Sequence, residues 1–133
     1  MAEFALIAPV FLLLVAGVLS FGQLLFYWIQ ENHVANETAR WAAVDRNPYE
    51  PTTLQSSAKG GATQEFQNSS RVCISFPDGA PAIGDRVKVD VSKPFTLVPL
   101  LGVGTITIRG SATMRIERFE SGDAPVNYEG TCE

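Results

Sequence analysis

Between Phe4 and Ile29 the sequence contains no Lys, Arg, Asp or Glu, and no Lys or Arg occurs before Arg40. Residues that carry chemistry are equally scarce. There is one histidine, His33, and there are two cysteines, Cys73 and Cys132, far apart and without the CxxC or Cys/His spacing of a zinc or redox centre. His33 beside Glu31 reads as a solvated helix-surface residue. Ser20 and Ser75 have no base partner nearby in sequence, and no glycine-rich phosphate loop is present. These absences argue against an enzyme and against any cofactor or metal site. Ten basic residues stand against 14 acidic ones, a net charge of −4, and the basic residues form no cluster, which argues against a nucleic-acid binder.

What the sequence does have is one long apolar run, FALIAPVFLLLVAGVLSFGQLLFYWI, 26 residues from Phe4 to Ile29. As a helix rising about 1.5 Å per residue it is roughly 39 Å long, enough to cross a hydrocarbon core of about 30 Å with some tilt. A chain of 133 residues has little remaining mass with which to bury such a helix on all sides. A signal peptide would show a basic leading region, a shorter apolar segment and a small-residue cleavage site. A single membrane span over about residues 4–29 is therefore expected. Composition alone, 46% hydrophobic and 18% charged, would describe an ordinary globular protein.

Within the run, Pro9 removes one backbone hydrogen bond and favours a kink, which bilayer helices tolerate. Gly17, Ser20 and Gly22 are small enough to let another helix pack closely, although Gly17 and Gly22 are five apart and do not make a GxxxG pair. Tyr27 and Trp28 mark the membrane–water boundary, where amphipathic rings prefer to sit. Glu3 has two readings. Its carboxylate complements the positive end of the helix dipole; alternatively, if the helix packs among related helices, it needs a cation such as the free amine of a neighbouring chain.

Helical patterning continues past the boundary through QENHVANETARWAAV, predicting one helix from about Ala2 to Val44, ended by Asn47-Pro48 and Pro51. Residues 1–46 thus form a helix, spanning over about 4–29 and extramembrane over about 30–46, and 47–133 form an α+β domain. Thr52 to Ser70 predicts a short second helix in TLQSSAK, broken by Gly60 and Gly61, and then a loop or a frayed turn through GGATQEFQNSS. From Arg71 the period changes to two, with strands expected at about 71–76, 85–92 and 105–118, the last bent at Gly110. Three alternating strands cannot bury their apolar faces alone, so a small antiparallel sheet packed on the extramembrane half of the helix is expected.

The link Lys93 to Gly104, KPFTLVPLLGVG, is unusually apolar, with Phe95, Leu97, Leu100 and Leu101. It reads either as a loop folded over one end of the core, or as an exposed contact for a partner subunit or the outer membrane leaflet. One long-range disulfide is the simplest use of Cys73 and Cys132, and it would place the domain in an oxidising, extracytoplasmic compartment. It would close a loop of about 60 residues and contribute roughly 4 kcal/mol in the chain-entropy description.

These residues carry a resemblance. EFALIAPVFLLLVAGVLSFGQLLFYWIQENHVANETARWAAV resembles the N-terminal signature of the TadE-like family, the pilin-like proteins of tight adherence (Tad or Flp) pilus systems. VKVDVSKPFTLVPLLGVGTITIRGSATMRIE is similar to the closing pattern of that family: a strand, a Pro-rich apolar link and a final strand ending Ala-Thr-Met-Arg-Ile-Glu. The resemblance implies a pilin-like fold and a minor pilin or pseudopilin, matured by a prepilin peptidase and acting with other pilins in assembly of an adhesive pilus. Glu3 would be the acidic residue that guides subunit docking. The family's basic leader and cleavage-site Gly would precede that Glu, whereas only Met1 and Ala2 precede it here. A second function fits the same anchor and sheet: a single-pass, membrane-anchored binding module of the cell envelope that does not self-assemble.

Overall fold

A computed structural model describes residues 2–49, 51–79, 82–98, 103–118 and 132. The architecture is α+β: a long N-terminal helix, two short helices and a three-stranded antiparallel sheet. Helix α1, Ala2–Ala43, runs unbroken for 42 residues with Pro9 inside it. Its N-terminal part has a mean hydropathy of 2.2 and none of it is buried by the rest of the chain, so it is long and apolar enough to cross a membrane. The helix ends in a Schellman arrangement. Asp45 takes the left-handed conformation at φ 51°, the Asp45 N–H donates to the Ala42 carbonyl (3.4 Å) and the Arg46 N–H to the Trp41 carbonyl (3.0 Å).

Buried Asn47 pins the chain beyond that stop. Its carboxamide oxygen accepts from the Tyr49 N–H and the Ser57 hydroxyl, and its NH2 donates to the Thr52 carbonyl. Helix α2, Leu54–Gly60, is N-capped by Thr53, whose hydroxyl accepts from the Ser56 N–H at 3.1 Å. A second short helix, α3, Gln64–Ser69, occupies part of the segment expected to be a loop or a frayed turn. Six residues have no intrinsic helical stability; α3 is held by Phe66, which is fully buried in the core, and by the Gln67 amide donating to the Ala62 carbonyl at 2.9 Å.

The strands are β1 (Arg71–Ser75), β2 (Arg86–Val98) and β3 (Val103–Arg115), in the order β1-β2-β3. Their bounds correct the expected link. Lys93 to Val98 continue β2, and β3 begins at Val103, so the apolar segment is the end of a hairpin. Pro94 argues against a strand there, because proline in a central strand removes a ladder bond. But β1 pairs with β2 only from Arg71↔Ser92 to Ser75↔Lys88. Among the described residues no strand pairs with the β1 side of β2 beyond Ser92, so the missing N–H sacrifices no ladder bond with them.

Directly opposed residues share a face, so Val72↔Val91↔Gly110 and Ile74↔Val89↔Ala112 form inward rows against α1. The helix answers with Val34, Ala35, Ala39 and Ala42, small side chains that let the sheet approach closely. The closest approach is at Gly110. This glycine makes room for α1: a Cβ there would lie 2.7 Å from the carbonyl carbon of Glu31. At the far end the Glu117 N–H donates to the Ala43 carbonyl at 2.8 Å, fixing the direction in which the sheet runs along the helix.

Candidate subunit-docking helix

Two features mark the functional end of the molecule: a bare apolar rod and a charged collar where the domain meets it. Large apolar side chains project from the rod in every direction, with Phe4 78%, Leu13 68% and Ile29 61% exposed. A helix apolar all round belongs in lipid or among other apolar helices. A Cβ added at Gly17 or at Gly22 would meet nothing within 4 Å, so both positions are open to a partner. At 3.6 residues per turn they lie about 140° apart around the helix, whereas Gly17 and Ser20 are about 60° apart and share a face. Glu3 lies in the first turn of α1; its side chain is outside the described residues.

The collar forms around Tyr27. Its ring lies 5.7 Å from that of Phe95 and 5.8 Å from that of Phe26, and the Lys93 Nζ sits 3.7 Å from the ring centre. Lys93 is only 3% exposed. Its ammonium also lies 3.5 Å from the Glu65 carboxylate on α3, an exposed group held below the ordinary carboxylate range by the Tyr27 hydroxyl and by Lys93. Glu31, one turn beyond Tyr27, is completely buried, and among the described residues neither carboxylate oxygen has a close hydrogen-bond partner, the Lys93 backbone N–H being the donor that faces it. Burial pushes its pKa up to about 7, against the opposing attraction of Lys93. Gln23, Tyr27, Glu65, Lys93, Phe95 and Thr96 line an open groove of about 500 Å³ between the rod and the hairpin.

Residues 1–40 match the family model of TadE-like proteins. The matched segment is the bare rod with the first turns of its domain-facing continuation, and the match points to a pilin-like protein associated with the Tad pilus. It takes in Glu3, Pro9, Gly17, Ser20, Gly22, Tyr27 and Trp28. No curated protein and no solved structure matches the chain.

The other expected site residues fall elsewhere. Phe95 is buried against Tyr27 at 8% exposure, so it closes the end of the domain rather than forming an exposed contact. The backbone of Leu97 lies in β2, while its side chain and all of Leu100 and Leu101 are outside the described residues. Cys73 and Cys132 are joined by a disulfide across a sequence separation of 59. Trp28 stays half exposed on the rod.

Sequence reasoning missed Glu31, Glu65 and Lys93 as a group. The signal was present for Lys93. Continuing the inward series Val87, Val89, Val91 by two places puts Lys93 on the buried face, a position that demands compensation.

Proposed function

We propose that the chain is a minor pilin or pseudopilin of a Tad/Flp-type adhesive pilus, held in the cytoplasmic membrane by α1 with its α+β domain extracytoplasmic. It acts in pilus assembly by packing α1 against the helices of other pilins or pseudopilins. The observation that carries this reading is that the segment matching TadE-like proteins takes in the whole part of α1 that the chain's own domain leaves bare, together with the first domain-facing turns. A binding module needs an anchor, but nothing about that role calls for an N-terminus of pilin-like type. The role is structural, without catalysis or cofactor, and maturation by a prepilin peptidase follows from the family reading.

In this account Glu3 is the docking residue. Within a packed bundle of apolar helices its carboxylate needs a cation, and the free amine of an adjacent subunit supplies one. The domain is the cargo that the transferable helix carries, and the disulfide suits an oxidising compartment outside the cytoplasm. Replacing Glu3 by alanine (Glu3→Ala) in cells that make the pilus is expected to impair piliation while membrane insertion persists. Normal piliation in cells lacking the chain altogether would refute the assembly role; normal piliation in Glu3→Ala alone would remove only the docking assignment.

A further inference from the structure

We propose that a notch on the outer face of the sheet, between the end of α3 and the strands, is a binding site for the phosphate monoester of a small sugar or polyol. The site lies on the face turned away from α1 and does not depend on the assembly role.

The notch follows from unequal strand lengths. β1 begins at Arg71, opposite Ser92, whereas the β2–β3 pairing continues past that level through Pro94↔Thr107. Before Arg71 the chain turns off into α3. Because Val91 and Gly110 face α1, Ser92, Pro94 and Thr107 face outward, and none of the three is long enough to fill the space beside α3. The result is a cavity of about 570 Å³, lined by these residues, by Arg71, and by Asn68, Ser69 and Ser70. Small-ligand sites commonly measure about 300–1,000 Å³.

Its surroundings select for negative charge. Arg71↔Ser92↔Arg109 form one cross-strand row on the outer face, so two arginines flank Ser92 with their backbones about 10 Å apart. Both are exposed, and among the described residues neither has an ion pair. The carboxylates near them are already engaged. Asp90, in the next row, lies 2.9 Å from the Lys88 ammonium, and Glu65 of α3 pairs with Lys93. Two guanidiniums without a counter-ion match a dianion, and their forked donors match the oxygens of a phosphate.

A second observation is independent of charge. Ser70 lines the cavity and is only 4% exposed, yet its hydroxyl has no hydrogen-bond partner among the described residues. An unpaired buried hydroxyl is costly, and a ligand oxygen entering the cavity gives it a partner. The other lining groups set what carries the phosphate. Asn68, Ser69, Ser92 and Thr107 bring hydroxyl and carboxamide groups that accept as well as donate, and the last carbonyls of α3 add acceptors. A fully ionised phosphate has no proton to give them, whereas the hydroxyls of a sugar or polyol do. Only Pro94 among the lining residues is apolar, which argues against an acyl chain or a nucleobase.

Calorimetric titration of the full chain in mild detergent, with its disulfide intact, tests this. Glucose 6-phosphate is the probe, and glucose, inorganic phosphate and glucuronate are the comparisons. We expect the probe to bind at a single site, about tenfold or more tighter than any of the three. Arg71→Gln and Arg109→Gln, both at exposed positions, should each weaken it about tenfold. Ser70→Ala should weaken it about threefold without lowering the unfolding midpoint, because the hydroxyl it removes has no partner in the free chain. Arg40→Gln, which removes a charge from α1, should leave the affinity unchanged. No saturable binding overturns the proposal. Glucose or inorganic phosphate binding as tightly as the probe overturns it as well, since either would show that the site does not read phosphate and hydroxyls together. So does an affinity that either arginine variant leaves intact, or that Arg40→Gln weakens as much as they do.

Discussion

Gly110 of β3 faces the backbone of Glu31 in α1 so closely that a single added carbon would stand 2.7 Å from the Glu31 carbonyl carbon and 2.8 Å from the Asn32 nitrogen. Both neighbours are backbone within a helix, which cannot move aside as a side chain could. Gly110→Ala is therefore expected to destabilise the domain by about 2–3 kcal/mol, measured by denaturant unfolding in mild detergent. Unchanged stability would show that helix and sheet are not in this register.

The same crossing buries the Glu31 carboxyl and raises its pKa to about 7. A carboxyl whose pKa is higher folded than unfolded binds its proton more tightly in the folded state. Its contribution is therefore fully present below the unfolded value, near 4.5, and is lost as pH rises through about 7. The charged groups facing it are Lys93 on β2 and, through Lys93, Glu65 on α3. Between pH 4.5 and 8 the native chain should lose on the order of 2 kcal/mol relative to Glu31→Gln, whose amide cannot ionise. Parallel stability–pH curves for the two proteins would contradict the burial of Glu31.

The Cys73–Cys132 bond closes a long loop onto β1. Reduction, or Cys132→Ser, is expected to cost about 2–4 kcal/mol, visible as a lower unfolding midpoint with reductant than without. Equal midpoints would show that the bond does not constrain the fold.

Much of this fold was legible because periodicity is local. The switch from helical spacing to alternation at Arg71, and the inward series Ile108, Gly110, Ala112 of β3, follow from side-chain geometry alone. What failed depended on neighbours. Pro94 reads as a strand breaker until it is known that β1 stops at Ser92. GGATQEFQNSS reads as a loop or a frayed turn because α3 depends on Phe66 finding the core. The close approach at Gly110 was hidden because the sequence does not reveal which helix backbone lies beneath it. The collar was hidden for the same reason, since Tyr27, Glu31, Glu65 and Lys93 meet only through tertiary packing, whereas the apolar rod announces itself by composition.

Phe66 gives that dependence a number. Phe66→Ala is expected to cost about 3–5 kcal/mol and to unfold α3 first, releasing Glu65 from Lys93. Hydrogen exchange should show protection lost over residues 64–69 before β2. Loss confined to the sheet would mean that α3 does not depend on this anchor.

The central claim is that α1 passes from lipid into contact with the helices of other pilins. Single cysteines at the two open positions, Gly17→Cys and Gly22→Cys, crosslinked in cells carrying their intact pilus genes, test it most directly. The account predicts a disulfide or short-linker adduct between this chain and a pilin or pseudopilin helix from at least one position. No adduct with any such helix from either position, while the chain is present and membrane-inserted, would contradict it.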